Sequence, residues 1–134
     1  MDPGSAHQTV RVIDSALPSR HLPIVQGSGT ARAVLWPGNG ALTRTFQVID
    51  LDVGDQTVAL RHPSDAVYYV AGGTARVVDA ITGQDQRLVE GAMVHIDAGD
   101  SYRFVNAGAA VCRIIGGPCP PDPALYATLQ NGKA

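Results

Sequence analysis

Charge is scarce in this chain: Asp, Glu, Lys and Arg together make up 16% of its 134 residues. Ten basic side chains stand against twelve acidic ones, a formal net charge of −2, and the arginines are scattered singly. A nucleic-acid partner would call for a clustered basic face, so that class of function is excluded. Hydrophobic residues reach 45%, so global disorder is excluded too. No stretch approaches the roughly 20 consecutive apolar residues needed to span a bilayer, which argues against a membrane partner. Met1 to Ile13 mixes Asp, Gly, His and Gln without an apolar run, unlike a signal peptide. A soluble, cytoplasmic protein is expected. Cysteine is nearly absent. Cys112 and Cys119 lie seven apart, which is neither a zinc spacing nor a Cys-x-x-Cys redox pair. They read as two reduced thiols, Cys112 being a buried strand residue.

What the chain does have is short alternating segments and many turn signals. Thr9 to Ile13 alternates apolar and polar and predicts a short edge strand, and the Pro-, Gly- and Ser-rich stretch from Ser19 to Thr30 predicts a loop. Ala31 to Trp36 reads as a strand, stopped by Pro37-Gly38-Asn39-Gly40. Leu42 to Val53 is a long strand pattern whose apolar face changes between Val48 and Ile49. That change implies either a β-bulge or a strand buried on both faces. Further strands are predicted at 57–61, 66–71, 74–80, 86–89, 93–96, 101–105 and 110–115. Pro121 to Gln130 reads as helical, with Pro123 early and Leu125, Tyr126 and Leu129 on one face. Short strands with turn signals at this spacing indicate a single all-β domain, a sandwich or barrel of immunoglobulin-like or jelly-roll type.

Two motifs narrow the choice. Gly54, His62 and Gly73 match the spacing Gly-x5-His-x-His-x3-Glu-x6-Gly, with Leu60 where the first His belongs and Ala66 where the Glu belongs. Gly91, Gly99 and Asn106 match Gly-x5-Pro-x-Gly-x2-His-x3-Asn, with Asp97 in place of the Pro and Tyr102 in place of the His. In this pair of motifs the chain resembles the cupin superfamily. The resemblance implies an all-β, cupin-type double-stranded β-helix (a jelly-roll barrel) with a short C-terminal helix. The division expected is an N-terminal arm and loop over 1–30, the barrel over 31–120, and the helix and tail over 121–134. It also suggests a homodimer, joined through an N-terminal or edge strand.

Residues two apart on a strand share a face. The resemblance places Leu60, His62, Ala66 and Tyr102 on the interior wall where cupin metal ligands converge, with Tyr68 and Phe104 sharing that interior. Leu60 and Ala66 cannot coordinate, and Tyr102 is a poor ligand for most divalent ions at neutral pH, so no metal and no other cofactor is expected. A frame that makes Asp65 the missing carboxylate loses both His62 and Gly54. Asp65 is read instead as a turn residue bonding nearby backbone amides. His95 reads as structural, Arg61 as a surface or inter-subunit charge, and Trp36 and Tyr69 as core or interface aromatics.

Two functions remain ahead of a third, less favoured one, a metal-dependent cupin enzyme. One is a metal-independent isomerase, epimerase or cyclase in which His62 takes a proton next to a carbonyl and Tyr102 donates one. The other is a non-catalytic module binding a small molecule in a pocket lined by Leu60, Ala66, Tyr68, Tyr102 and Phe104. Geometry separates them: a catalytic His62 and Tyr102 would face one cavity from different sides, with room between.

Overall fold

The computed structural model describes residues 10–17 and 19–130. Two antiparallel sheets face each other. The first holds, side by side, β1 (Arg20–His21), β3 (Thr30–Leu35), β4 (Phe46–Leu51), β11 (Cys112–Pro118), β6 (Ala66–Gly72) and β9 (Met93–Ile96). The second holds β2 (Val25–Gln26), β5 (Gln56–Thr57), β10 (Tyr102–Val105), β7 (Ala75–Asp79) and β8 (Asp85–Leu88). Apart from the β3–β4 and β7–β8 pairs, consecutive strands cross between the sheets, which gives the jelly roll. Inward side chains alternate with outward ones, as β6 shows: Ala66, Tyr68 and Val70 are buried while Val67 and Tyr69 face out. Ile49, Leu51, Val70, Phe104 and Ile114 form the centre of the core, none more than 1% exposed.

The long pattern from Leu42 contains a shorter strand. β4 begins only at Phe46, and its register runs unbroken through the change of face, with Val48 opposite Ile115 and Ile49 opposite Ile114. Both side chains are buried, so this is a strand covered on both faces and not a bulged one.

The N-terminal region departs further from expectation. Val10 to Ile13 forms no strand, and Val10 and Val12 are largely exposed; Thr9 lies outside the described residues. This arm is held across the outer face of the first sheet by Arg11, which donates to the Asn39 carbonyl at 2.9 Å, and by Arg32, which donates to the Ser15 carbonyl. Ser19 to Thr30, read as loop, carries β1 and β2. Leu22 and Ile24 share a face and both enter the core, while their backbones bond to Ala31 and Val58 at 2.8 Å. Two-residue strands fix chain entry without leaving a periodicity to read.

Of the matching motif residues, the glycines and Asn106 are structural. Gly54 and Gly91 sit at φ +88° and +91°, a left-handed conformation that favours glycine. The Asn106 side chain is fully buried. Its amide donates to Leu51 and Ala110 carbonyls at 2.9 and 2.8 Å and its oxygen accepts from Gly108 at 3.0 Å, tying the β10–β11 turn to β4.

The C-terminal segment closes one side of the core. A 3-10 turn, Pro123–Tyr126, leads into α1 (Ala127–Gln130). Tyr126 is wholly buried, stacks against Trp36 at 5.3 Å between centroids, and donates to Gln47 Oε1 at 3.0 Å. Among the described residues no helix is long and apolar enough to cross a membrane.

Candidate functional site

The segment after β5 carries His62 into the interior. Leu60 makes a bridge to Tyr102, its N–H donating at 2.7 Å and its carbonyl accepting at 2.9 Å. Pro63 ends the extended run, and the His62 carbonyl is fixed by the Gly99 amide at 2.8 Å. The imidazole therefore enters the barrel in a set orientation, beside the first residue of β10.

Both ring nitrogens of His62 have partners. Nδ1 lies 2.8 Å from Asp122 Oδ2, Nε2 lies 2.8 Å from the Tyr102 hydroxyl, and that hydroxyl lies 2.5 Å from the hydroxyl of Tyr68. A carboxylate only accepts, so Nδ1 carries the proton facing Asp122. With a neutral ring, Nε2 then accepts from Tyr102, which in turn accepts from Tyr68. The chain Tyr68–Tyr102–His62–Asp122 is thus satisfied head to tail. Its members are 2–7% exposed. Burial pushes the phenols of Tyr68 and Tyr102 far above the ordinary tyrosine range, and their mutual proximity adds to this for Tyr102, so both stay protonated donors.

Asp122 was not singled out by sequence reasoning. Its place before Pro123 marks a helix start, and its Oδ1 does accept from the Ala124 amide at 3.0 Å. Its second oxygen reaches a residue sixty positions away, which only the closed barrel brings near.

The other predicted residues pack around this chain. The rings of Tyr68 and Phe104 meet edge to face at 4.8 Å, and those of Tyr102 and Phe104 at 5.6 Å. Leu60 and Ala66 are buried in the same cluster. Of the six residues, Tyr102 also lines a cleft of about 770 Å³, bounded by the β7–β8 hairpin, β9 and the 97–101 turn. This cleft lies where the free edges of the two sheets, β9 and β8, part from each other.

The donor set does not fit the usual cupin metal. Leu60 and Ala66 offer no ligand atom, both nitrogens of His62 are engaged, and the Tyr102 phenol is held protonated. Asp65 caps the second turn from a distance, accepting from the Ala98 amide at 2.9 Å. His95 is exposed, 3.5 Å from both Asp65 and Asp97. Arg61 is exposed, Trp36 is half-buried against Tyr126, and Tyr69 faces outward.

Known proteins place this architecture. No curated protein matches the chain. Among solved structures, a predicted oxalate decarboxylase from Thermotoga maritima superposes with a TM-score of 0.69 at 18% identity, over 83% of this chain and all of that one. The polyketide cyclase RemF from Streptomyces resistomycificus gives 0.63 at 18% identity, over 87% and 79% of the two chains. An RmlC-like cupin with a double-stranded β-helix fold from Methanocaldococcus jannaschii gives 0.61 at 12% identity, over 77% and 86%. At such identities these likenesses speak to fold alone. Residues 47–116, just over half of the chain, match the Cupin domain family. With both motif frames inside that span, the chain belongs to the cupins.

Proposed function

We propose that this cupin binds a small molecule in the cleft between β8 and β9, where the ligand meets Tyr102 in place of a metal ion. The observation that carries this reading is the 2.8 Å contact between His62 and Tyr102. It leaves no room for a substrate between them, so the two do not straddle a reacting carbon. They form an internal strut that fixes the Tyr102 ring at the cleft. Buried polar chains of this kind rigidify a site when every member is satisfied.

The test is an amide ¹H–¹⁵N titration with a set of small polar fragments. Shifts should concentrate at Leu88, Val94 and Ser101, and Tyr102→Phe should weaken binding about two- to tenfold, the worth of one hydrogen bond. Shifts scattered away from the cleft would reject the reading.

One observation favours a catalytic version. The chain is ordered from a carboxylate through an imidazole to a phenol at the cleft, so as the Tyr102 oxygen took a proton from a ligand, its own proton could pass to His62 Nε2, facing Asp122 across the ring, and return by the reverse path. This would be acid–base chemistry of the isomerase, epimerase or cyclase type, without metal. Deuterium uptake next to the carbonyl of a bound ligand, lost in both Tyr102→Phe and His62→Gln, would select it; no uptake selects simple binding.

A second copy of the chain is the proposed protein partner. Among the described residues no strand pairs with the outer edge of β9, and Met93 on it lies exposed beside Tyr69 and Val67 on the outer face of β6. Light scattering at micromolar concentration should give a dimer; a monomer contradicts this.

A further inference from the structure

Arginines that stand apart in the sequence are gathered on the outer face of the second sheet. β7 and β8 pair with Arg76 directly opposite Arg87, which sets the two side chains about 5 Å apart at Cβ on one face. That face is turned away from the cleft, which the alternating residues Val77 and Leu88 line instead. Arg103 of β10 lies diagonally across from Arg76 on the same face, and its Nε is buried without a hydrogen-bond partner. Against these three arginines, β7, β8 and β10 set a single carboxylate on that face among the described residues, Asp85. It meets Arg76 at 3.4 Å with both side chains nearly half exposed, a weak pair, and no described carboxylate pairs with Arg87. Like charges directly opposite each other destabilise a sheet, and a bound anion would relieve this. At the open end of the hairpin the two arginines wall a concavity of about 200 Å³, completed by Thr74 and by Ala107 and Gly108 of the β10–β11 turn. A Cβ at Gly108 would come within 2.6 Å of Thr74 Oγ1, so a larger residue there would crowd the hydroxyl.

We propose that this concavity is a second binding site, separate from the cleft, and takes the phosphoryl group of a small phosphorylated molecule. A phosphomonoester carries close to two negative charges at neutral pH and three terminal oxygens. It therefore matches two guanidinium forks, each able to donate two parallel N–H bonds, and leaves an acceptor for the Thr74 hydroxyl. A carboxylate has one charge and two oxygens, which a single arginine already satisfies. The contact that Arg76 gives up, its exposed pair with Asp85, is a weak one. One small concavity in a chain of net charge −2 suits one phosphoryl group, not a polyanion.

Three probes separate charge from shape: methyl phosphate, methyl sulfate, which is also tetrahedral but has one charge fewer, and planar acetate. Each is titrated into the ¹⁵N-labelled protein at constant ionic strength and about pH 7.5, where the phosphate monoester is a dianion. Methyl phosphate should move the amides of Thr74, Arg76, Arg87 and Gly108 and the Arg87 side-chain Nε–H. It should bind about tenfold more tightly than either monoanion. Arg87→Gln, a change at an exposed side chain, should weaken it about tenfold or more. Asp85→Asn should tighten it about two- to threefold by removing the competing carboxylate. Arg113→Gln, which breaks only the ion pair with Asp50 on the other sheet, should leave it unchanged. Equal shifts from all three anions, unchanged binding in Arg87→Gln, or no response of these amides at millimolar methyl phosphate would each overturn the inference. So would shifts confined to Val94 and Ser101, which would put the anion in the cleft.

Discussion

His62→Ala should lower the unfolding free energy by about 3–5 kcal/mol, the usual cost of leaving a buried carboxylate without its partner. The Asp122 side chain, only 9% exposed, would lose the Nδ1–H that faces it. Tyr102 would at the same time lose the acceptor for its hydroxyl. For a domain of this length the loss corresponds to a fall in melting temperature of about 10–20 °C. Two further variants isolate the cause. His62→Gln retains a donor and an acceptor on one side chain and should recover part of the stability. The double variant His62→Ala/Asp122→Ala removes the stranded carboxylate as well, so it should cost clearly less than the sum of the single changes. Additive costs in denaturant unfolding would mean that the pair is not coupled.

Tyr126→Ala should be as damaging, again by about 3–5 kcal/mol, because a fully buried aromatic is replaced by a methyl group. The ring stacks on Trp36 and fills the side of the core below Gln47. Its loss should also loosen the segment that delivers Asp122 to His62, so amide exchange from Asp122 to Leu129 should accelerate more than in β6. Tyr126→Phe keeps the packing and loses one hydrogen bond, and should cost only about 1 kcal/mol. An alanine variant as stable as the phenylalanine variant would show that the segment merely rests on the barrel.

How far these features could be read in advance differs along the chain. Alternation and turn residues located β6 to β10 closely, because β6, β9 and β10 alternate buried with outward residues and a glycine- or Asp-rich turn lies beside each strand of the run. β1 and β2 could not be read the same way. Two residues carry no period, and Pro23 together with Gly27 and Gly29 gives the stretch the composition of a loop. Val10 to Ile13 had the alternation of a strand, but its valines stay largely exposed and do not pack on the barrel, and it lies there as an irregular arm held by arginine contacts. Within the site, the motif frame led directly to His62 and Tyr102, and period-two alternation brought in Tyr68 and Phe104. What the frame could not convey was that two of these residues touch. Empty ligand positions at Leu60 and Ala66 suggested an open pocket, yet aromatic rings pack against one another there. Asp122 was hidden for a different reason. Its local pattern explains a helix cap, and its contact with His62 arises only from the path of the chain back across the barrel.

Two of the four cupin ligand positions, His62 and Tyr102, are joined with Tyr68 and Asp122 in a hydrogen-bonded chain, which we propose stands in place of a metal centre. The most direct measurement is a long-range ¹H–¹⁵N correlation spectrum of the His62 ring, recorded before and after one equivalent of Zn²⁺. The account predicts a slowly exchanging proton on Nδ1, lost in Asp122→Ala, and ring resonances that do not move when the metal is added. An Nδ1 without a proton, or ring signals displaced stoichiometrically by Zn²⁺, would contradict it.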